Sequence, residues 1–253
     1  MKVSVHLMGG LGNQLFQMAF LDYISKNTGY IPCVERIDYL VEHSQVLYFN
    51  CIFWNWRHLF GQMSPLTQEV HEDKLMPQNW ISIVRQKANV RFVGYFQNYK
   101  YVTPEFISKL TFDRAILNKY PDIGNSVFLH IRGGDFLQHH CSWLHNFPMD
   151  DYYQRAISMF PNSNFVIFTN DIEYAKTKPF LKDITYSFIE ENEIDSLLLM
   201  SKCSGGICAN STFSWWGAFL NTNRKLILPS RYFNNPEHYI NGYYFDGCTI
   251  VEV

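Results

Sequence analysis

SVFLHIRGGD, residues 126–135, is a β-type run that ends in a glycine loop, and the rest of the chain repeats this rhythm outward from it. Downstream, DDYYQRAISMF (150–160) is helical, NFVIFT (164–169) is the next strand, and a helix begins near Asp171. EIDSLLLMSKC (193–203) is helical, GGICA (205–209) is a short buried strand, STFSWWGAFL (211–220) is a helix, and KLILP (225–229) closes the series. Strands alternating with helices of this length build βαβ units and a parallel sheet. Upstream, VSVHLM (3–8) is a strand followed by a glycine turn and a helix over 13–27, and YIPCV (30–34) is a second strand. RFVGYF (91–96) returns to strand pattern, and Thr103–Pro104 starts a helix with proline at its first position. Residues 35–90 are irregular and rich in aromatics. KYPDIGNS (119–126) is the linker. The expectation is an α/β protein of two doubly wound domains, 1–122 and 123–253, facing a cleft.

Composition narrows the function. The 253 residues carry a formal charge of −2, which argues against a nucleic-acid binder that relies on a broad positive field. Apolar residues make up 47% and charged residues 17%, so a disordered chain is excluded. Aromatics reach 17%, read mainly as core; the cluster LYFNCIFWNWRHLF (47–60) is taken as buried packing rather than a membrane contact. The six cysteines form no CxxC pair and are expected to be free thiols. No apolar run reaches the length of a membrane span, and none precedes the first glycines as a signal peptide would. The expected location is cytoplasmic.

Three constellations can carry chemistry. Gly9-Gly10-Leu11-Gly12-Asn13-Gln14 joins a strand to a helix, where backbone N–H groups meet an anion. With Glu35 it nearly fits a dinucleotide fingerprint, but Leu15 stands where the third small residue belongs. A nicotinamide- or flavin-dependent oxidoreductase using Gly10, Gly12 and Glu35 is therefore the alternative, and a merely tight turn is equally open. His130-Ile131-Arg132-Gly133-Gly134-Asp135 places a guanidinium at a strand end, suited to a pyrophosphate. The plainer reading is an Arg132–Asp135 salt bridge with His130 a core residue. Asn210-Ser211-Thr212-Phe213, like Thr169-Asn170-Asp171, is a helix cap or a phosphate cradle. There is no Asp-x-Asp, HExxH, GxSxG or Walker-type loop, so a nucleotide diphosphate would be neutralised by Arg and backbone dipoles.

In this order the motifs resemble the inverting α-1,2-fucosyltransferases of glycosyltransferase family 11. MGGLGNQLFQ (8–17) is similar to the family's N-terminal loop, GYFQNYKYV (94–102) to its mid-chain block and HIRGGD (130–135) to HxRRxD. FTND (168–171) is similar to Phe-Ser-Asp-Asp, and NSTFSWWGAFL (210–220) to the late Ser/Thr-aromatic motif. The resemblance implies a GT-B fold of two Rossmann-like domains, with the acceptor on the first and GDP-fucose on the second. It implies a terminal β-galactoside acceptor, free or on a lipid that would bring the protein to a membrane surface, no metal and no nucleic acid. Arg132 then holds the donor pyrophosphate and Asn13 faces the reacting sugars. His130, Asp135, Thr169, Asp171, Asn210, Ser211, Thr212 and Phe213 bind the donor, with Gly10, Gly12 and Gln14 in the glycine loop. Gly133 replaces the motif's second arginine. Asp22, Glu35, Asp38 and His43 are the first-half candidates for a general base.

Overall fold

The computed structural model describes residues 1–35, 45–61, 63–64, 66–72, 79–221, 225–235, 237–238 and 240–253, with the side chains of 45–47, 140 and 141 outside that description. Asp38, His43 and the Cys141 side chain lie outside the described residues. The chain forms two compact units, Met1–Phe112 with Ile240–Tyr243, and Asp113–Tyr239 with Tyr244–Val253.

The first unit contains β1 (Lys2–Val5), α1 (Leu11–Thr28), β2 (Ile31–Cys33), α2 (Gln45–Asn50), β3 (Gln68–His71), α3 (Trp80–Arg85), β4 (Val90–Val93) and α4 (Pro104–Ser108). Its described strands pair in parallel in the order β2-β1-β4-β3. Helix α1 is buried on nearly every face, including Phe16, Met18, Phe20 and Leu21. Its first three turns sit in the interior, where Phe20 stacks on Phe96 at 3.9 Å and meets Trp80 and Phe92 edge-on. Gly29 ends the helix in the left-handed region, donating to Ser25 O at 2.8 Å. Thr103 caps α4 as expected, its hydroxyl accepting from Phe106 N at 3.1 Å. Within 47–60, Tyr48, Phe49, Ile52, Phe53 and Trp56 are buried, which confirms the packing role, while Trp54 is exposed with Arg57 over its ring.

The second unit runs α5 (Ile116–Lys119), β5 (Ser126–Ile131), α6 (His139–His145), α7 (Asp150–Ser158), β6 (Asn164–Thr169), α8 (Ile172–Lys176), β7 (Thr185–Phe188), α9 (Glu193–Met200), β8 (Gly205–Ile207), α10 (Thr212–Phe219), β9 (Lys225–Pro229) and β10 (Cys248–Val251). The described strands are all parallel in the order β10-β9-β8-β5-β6-β7. Counted from β5, that is the 3-2-1-4-5-6 order of a Rossmann sheet. One face carries Val127, Leu129, Ile131, Ile167, Ile207 and Ile227 against Tyr152, Tyr153 and Ala156 of α7. Both buried tyrosine hydroxyls are satisfied: Tyr153 donates to His130 O at 2.8 Å and Tyr152 to Cys208 O at 2.6 Å. Helix α7 therefore pins the ends of β5 and β8.

The boundary falls at Phe112/Asp113, not at 122. Lys119 and the Tyr120 hydroxyl both bond the Glu191 carboxylate, so the stretch read as a linker is already fastened to the second unit. The C-terminal segment also returns to the first unit at Ile240–Tyr243, where Tyr99 N donates to Gly242 O at 2.9 Å. The described cysteines are free thiols, with Cys33, Cys203 and Cys208 buried. No described helix is long and apolar enough to cross a membrane.

Candidate active site

In open parallel sheets, ligands bind beyond the strand C-termini where the strand order reverses. In the second unit that point lies between β5 and β8. The chain leaves β5 into Arg132–Asp135 and leaves β8 into Asn210–Phe213, so the two motifs read from sequence meet at the switch point. His130 links them, its ring centroid 5.7 Å from that of Phe213.

The arginine loop is ionic. The Arg132 guanidinium approaches the Asp135 carboxylate at 2.8 Å and lies 5.1 Å from the Phe136 ring centroid, while its Nε is buried without a hydrogen-bond partner. Asn170 accepts from Gly133 N at 2.9 Å and donates to Asp135 at 3.1 Å. Asp171 caps α8 through Tyr174 N at 3.0 Å and accepts from Gly134 N at 3.3 Å. The Thr169 hydroxyl accepts from Asp171 N at 3.0 Å. Asp135, Thr169 and Asp171 thus shape the loop that presents Arg132. The salt bridge anticipated as the plainer reading is present, and it leaves Nε uncommitted. His130 is not the satisfied core histidine of that reading: it is 2% exposed, its Nδ1 has no partner, and burial with nearby Arg132 pushes its pKa down to about 3.

At the head of α10, Ser211 caps the helix by accepting from Phe213 N at 3.3 Å. Thr212 is buried, and Asn210 is clamped by donating to His145 O and Tyr232 O, each at 3.0 Å. A cavity of about 340 Å³ opens beside these groups, with Arg132, Asn210, Lys178 and the aromatic rings of Phe136, Phe147 and Tyr174 in its wall. Among the described residues, no group of three His, Cys, Asp or Glu side chains could hold a metal ion.

The first unit reverses its strand order between β1 and β4, and the glycine loop follows β1. Its required glycine is Gly9, at φ +74°, where a Cβ would lie 2.5 Å from Asn13 Nδ2. Gly10 is instead an extended N-cap, and Gly12 is a buried helical residue. Amides knit the site together. Gln14 donates to Gly9 O at 2.9 Å, Gln17 accepts from Met8 N at 3.0 Å and donates to Gly94 O at 2.9 Å, and Gln97 donates to Asn13 Oδ1 at 2.9 Å. Glu72, beyond β3, accepts from Tyr95 N and Phe96 N at 2.8 and 3.0 Å, holding Phe96 at φ +50°. Gln97 and Glu72 were not singled out from sequence. Gln97 sits inside the mid-chain block that was, whereas nothing local marks Glu72. The candidate base Asp22 is paired with Lys26 at 2.5 Å, and Glu35 with Arg91. The oxidoreductase alternative thus loses Glu35 as a free ribose ligand, and Leu15, fully buried where a small residue belongs, stands against it as the sequence indicated.

The model of "Glycosyl transferase family 11" matches residues 100–239. An α-1,2-colitosyltransferase of Escherichia coli is 31% identical, covering 97% of this chain and 96% of that protein. The O-antigen biosynthesis glycosyltransferase WbnK of Escherichia coli is 34% identical over 120 residues, 43% of this chain and 39% of its own. Among solved structures, the fucosyltransferase NodZ from Bradyrhizobium has a TM-score of 0.53 at 11% identity, covering 85% of this chain and 90% of that one. NodZ α-1,6-fucosyltransferase soaked with GDP-fucose gives 0.50 at 12% identity, with 85% and 91% covered. At such identities the likeness bears on fold alone, and with two parallel α/β units it makes this fold GT-B type.

Proposed function

Because the chain belongs to glycosyltransferase family 11, we propose that it is an inverting, metal-independent fucosyltransferase that moves L-fucose from GDP-fucose to the 2-hydroxyl of a terminal β-galactoside. The observation that carries this reading is the placement of Arg132 at the switch point of a Rossmann-order sheet, held at one corner by Asp135, with the head of α10 across the strand-order reversal. The relative's α-1,2 transfer supports the linkage.

The reaction is a single displacement at the anomeric carbon: the acceptor oxygen bonds to C1 as the C1–O bond to GDP breaks. Charge grows on the departing phosphate, so a fixed guanidinium and the positive end of a helix act where it develops. One such preorganised donor lowers the barrier by about 3 kcal/mol. Asn13, anchored by Gln97, orients the acceptor hydroxyl. Asp22 and Glu35 are both ion-paired, which leaves Asp38, His43 or a donor phosphate oxygen to take the proton.

Product analysis with GDP-fucose, lactose and EDTA tests this reading. A 2-fucosylated product supports it, and loss of activity with EDTA contradicts the metal-free claim. A second reading, favoured by the 31%-identical relative, has colitose as the transferred sugar. GDP-colitose turned over in preference to GDP-fucose would select it.

A further inference from the structure

We propose that Lys178 is a second diphosphate-binding cation of the arginine cavity, acting beside Arg132; this rests on the donor reading above. Both side chains line the same cavity of about 340 Å³. A nucleoside diphosphate carries more negative charge than one guanidinium balances, and the Arg132 charge is already offset in part by Asp135. The Lys178 ammonium is held loosely. It lies 4.0 Å from the Tyr174 ring centroid and 3.7 Å from Asp150 Oδ1, with no hydrogen bond among the described residues. Its side chain is only 17% exposed, so the charge stands at the cavity wall and not in bulk water.

Position 133 gives an independent reason. A Cβ there would come within 2.7 Å of Tyr174 Cδ1 and 2.9 Å of Asp171 Cβ. The Tyr174 ring thus fills the room a side chain at 133 would need, and the same ring carries Lys178. The second positive charge enters the cavity from α8 and the turn after it instead of from the loop after β5.

Calorimetry on the full chain with GDP and with guanosine tests this. Lys178→Gln is expected to weaken GDP by about tenfold or more, the value of a hydrogen bond to a charged group. It should leave guanosine unchanged, with Lys178→Arg staying near wild type. Asp150→Asn, which frees the ammonium, should tighten GDP severalfold, and this does not depend on Lys178→Gln folding. Equal GDP affinity in wild type and Lys178→Gln overturns the inference and leaves the donor reading intact. Parallel losses for GDP and guanosine, or weaker GDP binding in Asp150→Asn, also overturn it. A wild type that does not bind GDP overturns the donor reading and the inference with it.

Discussion

The glycine loop after β1 and the arginine loop after β5 are the same backbone device filled with different chemistry. Each follows the first strand of a parallel sheet, each lies where the strand order reverses, and each turns through glycine. Around the first loop stand the amides of Asn13, Gln14, Gln17 and Gln97, and the nearby Glu72 carboxylate is spent on backbone N–H groups. Around the second stand Arg132, Asp135, Asp171 and Lys178. Uncharged donors and acceptors suit a neutral ligand such as a sugar, whereas fixed cations suit a phosphate. The largest effect expected from this contrast is at Arg132. Arg132→Ala should lower kcat/KM by a hundred- to a thousandfold, and Arg132→Lys should fall nearly as far, because an ammonium cannot reproduce the guanidinium fork. Near-normal turnover by Arg132→Lys would break the comparison at its charged end.

The neutral end is tested through Asn13. Asn13→Ala should cost about a hundredfold or less in kcat, as expected for a misplaced acceptor, and leave GDP affinity unchanged. Gln97→Ala should shift kcat in the same direction by a smaller factor, since it acts only by anchoring Asn13. A loss of GDP affinity in either variant would mean that the two loops do not divide the substrates as proposed.

The sequence patterns behind this comparison were unevenly legible. SVFLHI, NFVIFT and KLILP match β5, β6 and β9 residue for residue, because interior parallel strands are unbroken apolar runs. The strands that were missed, QEVH of β3, TYSF of β7 and CTIV of β10, all lie at sheet edges, where exposure lets polar residues in and erases the pattern. The site divides in the same way. Arg132 and Ser211 announce themselves because a strand end and a helix start are local features. Gln97 meets Asn13 across 84 residues, and Glu72 meets Phe96 across 24. Those contacts exist only once the β1–β4–β3 register is set, so no window of sequence contains them.

Glu72 allows a stability test of the first unit. Its carboxylate accepts two backbone N–H groups at the turn where Phe96 holds a positive φ, a conformation costly for a bulky side chain. Glu72→Ala should therefore destabilise the protein by about 2 kcal/mol, lowering Tm by roughly 4–8 °C. Glu72→Gln, which keeps one acceptor oxygen, should cost less. An unchanged Tm in Glu72→Ala would show that the turn is held by the ring contacts of Phe96 with Phe20, Trp80 and Phe92 instead.

The smallest expected effect separates the loops by pH. The amides of the glycine loop do not titrate, but His130 beneath the arginine loop does, and burial with nearby Arg132 holds its folded pKa near 3. In the unfolded chain a histidine titrates near 6.5. Between those values the unfolded state binds a proton that the folded state refuses, so stability is lost as pH falls below about 6.5 and is unaffected above it. The loss grows toward about 1.4 kcal/mol per pH unit, so the first unit of acidification costs roughly 1 kcal/mol. Denaturant melts at pH 7.5 and 5.5 should show this slope in the wild type and a flatter one in His130→Gln, whatever the variant's absolute stability. Equal slopes would place the acid sensitivity on other groups and return His130 to the role of an ordinary core residue. A flatter slope would make His130 a neutral spacer between Arg132 and Phe213, one that keeps the positive charge of this loop on Arg132 and the cavity wall across the working pH range.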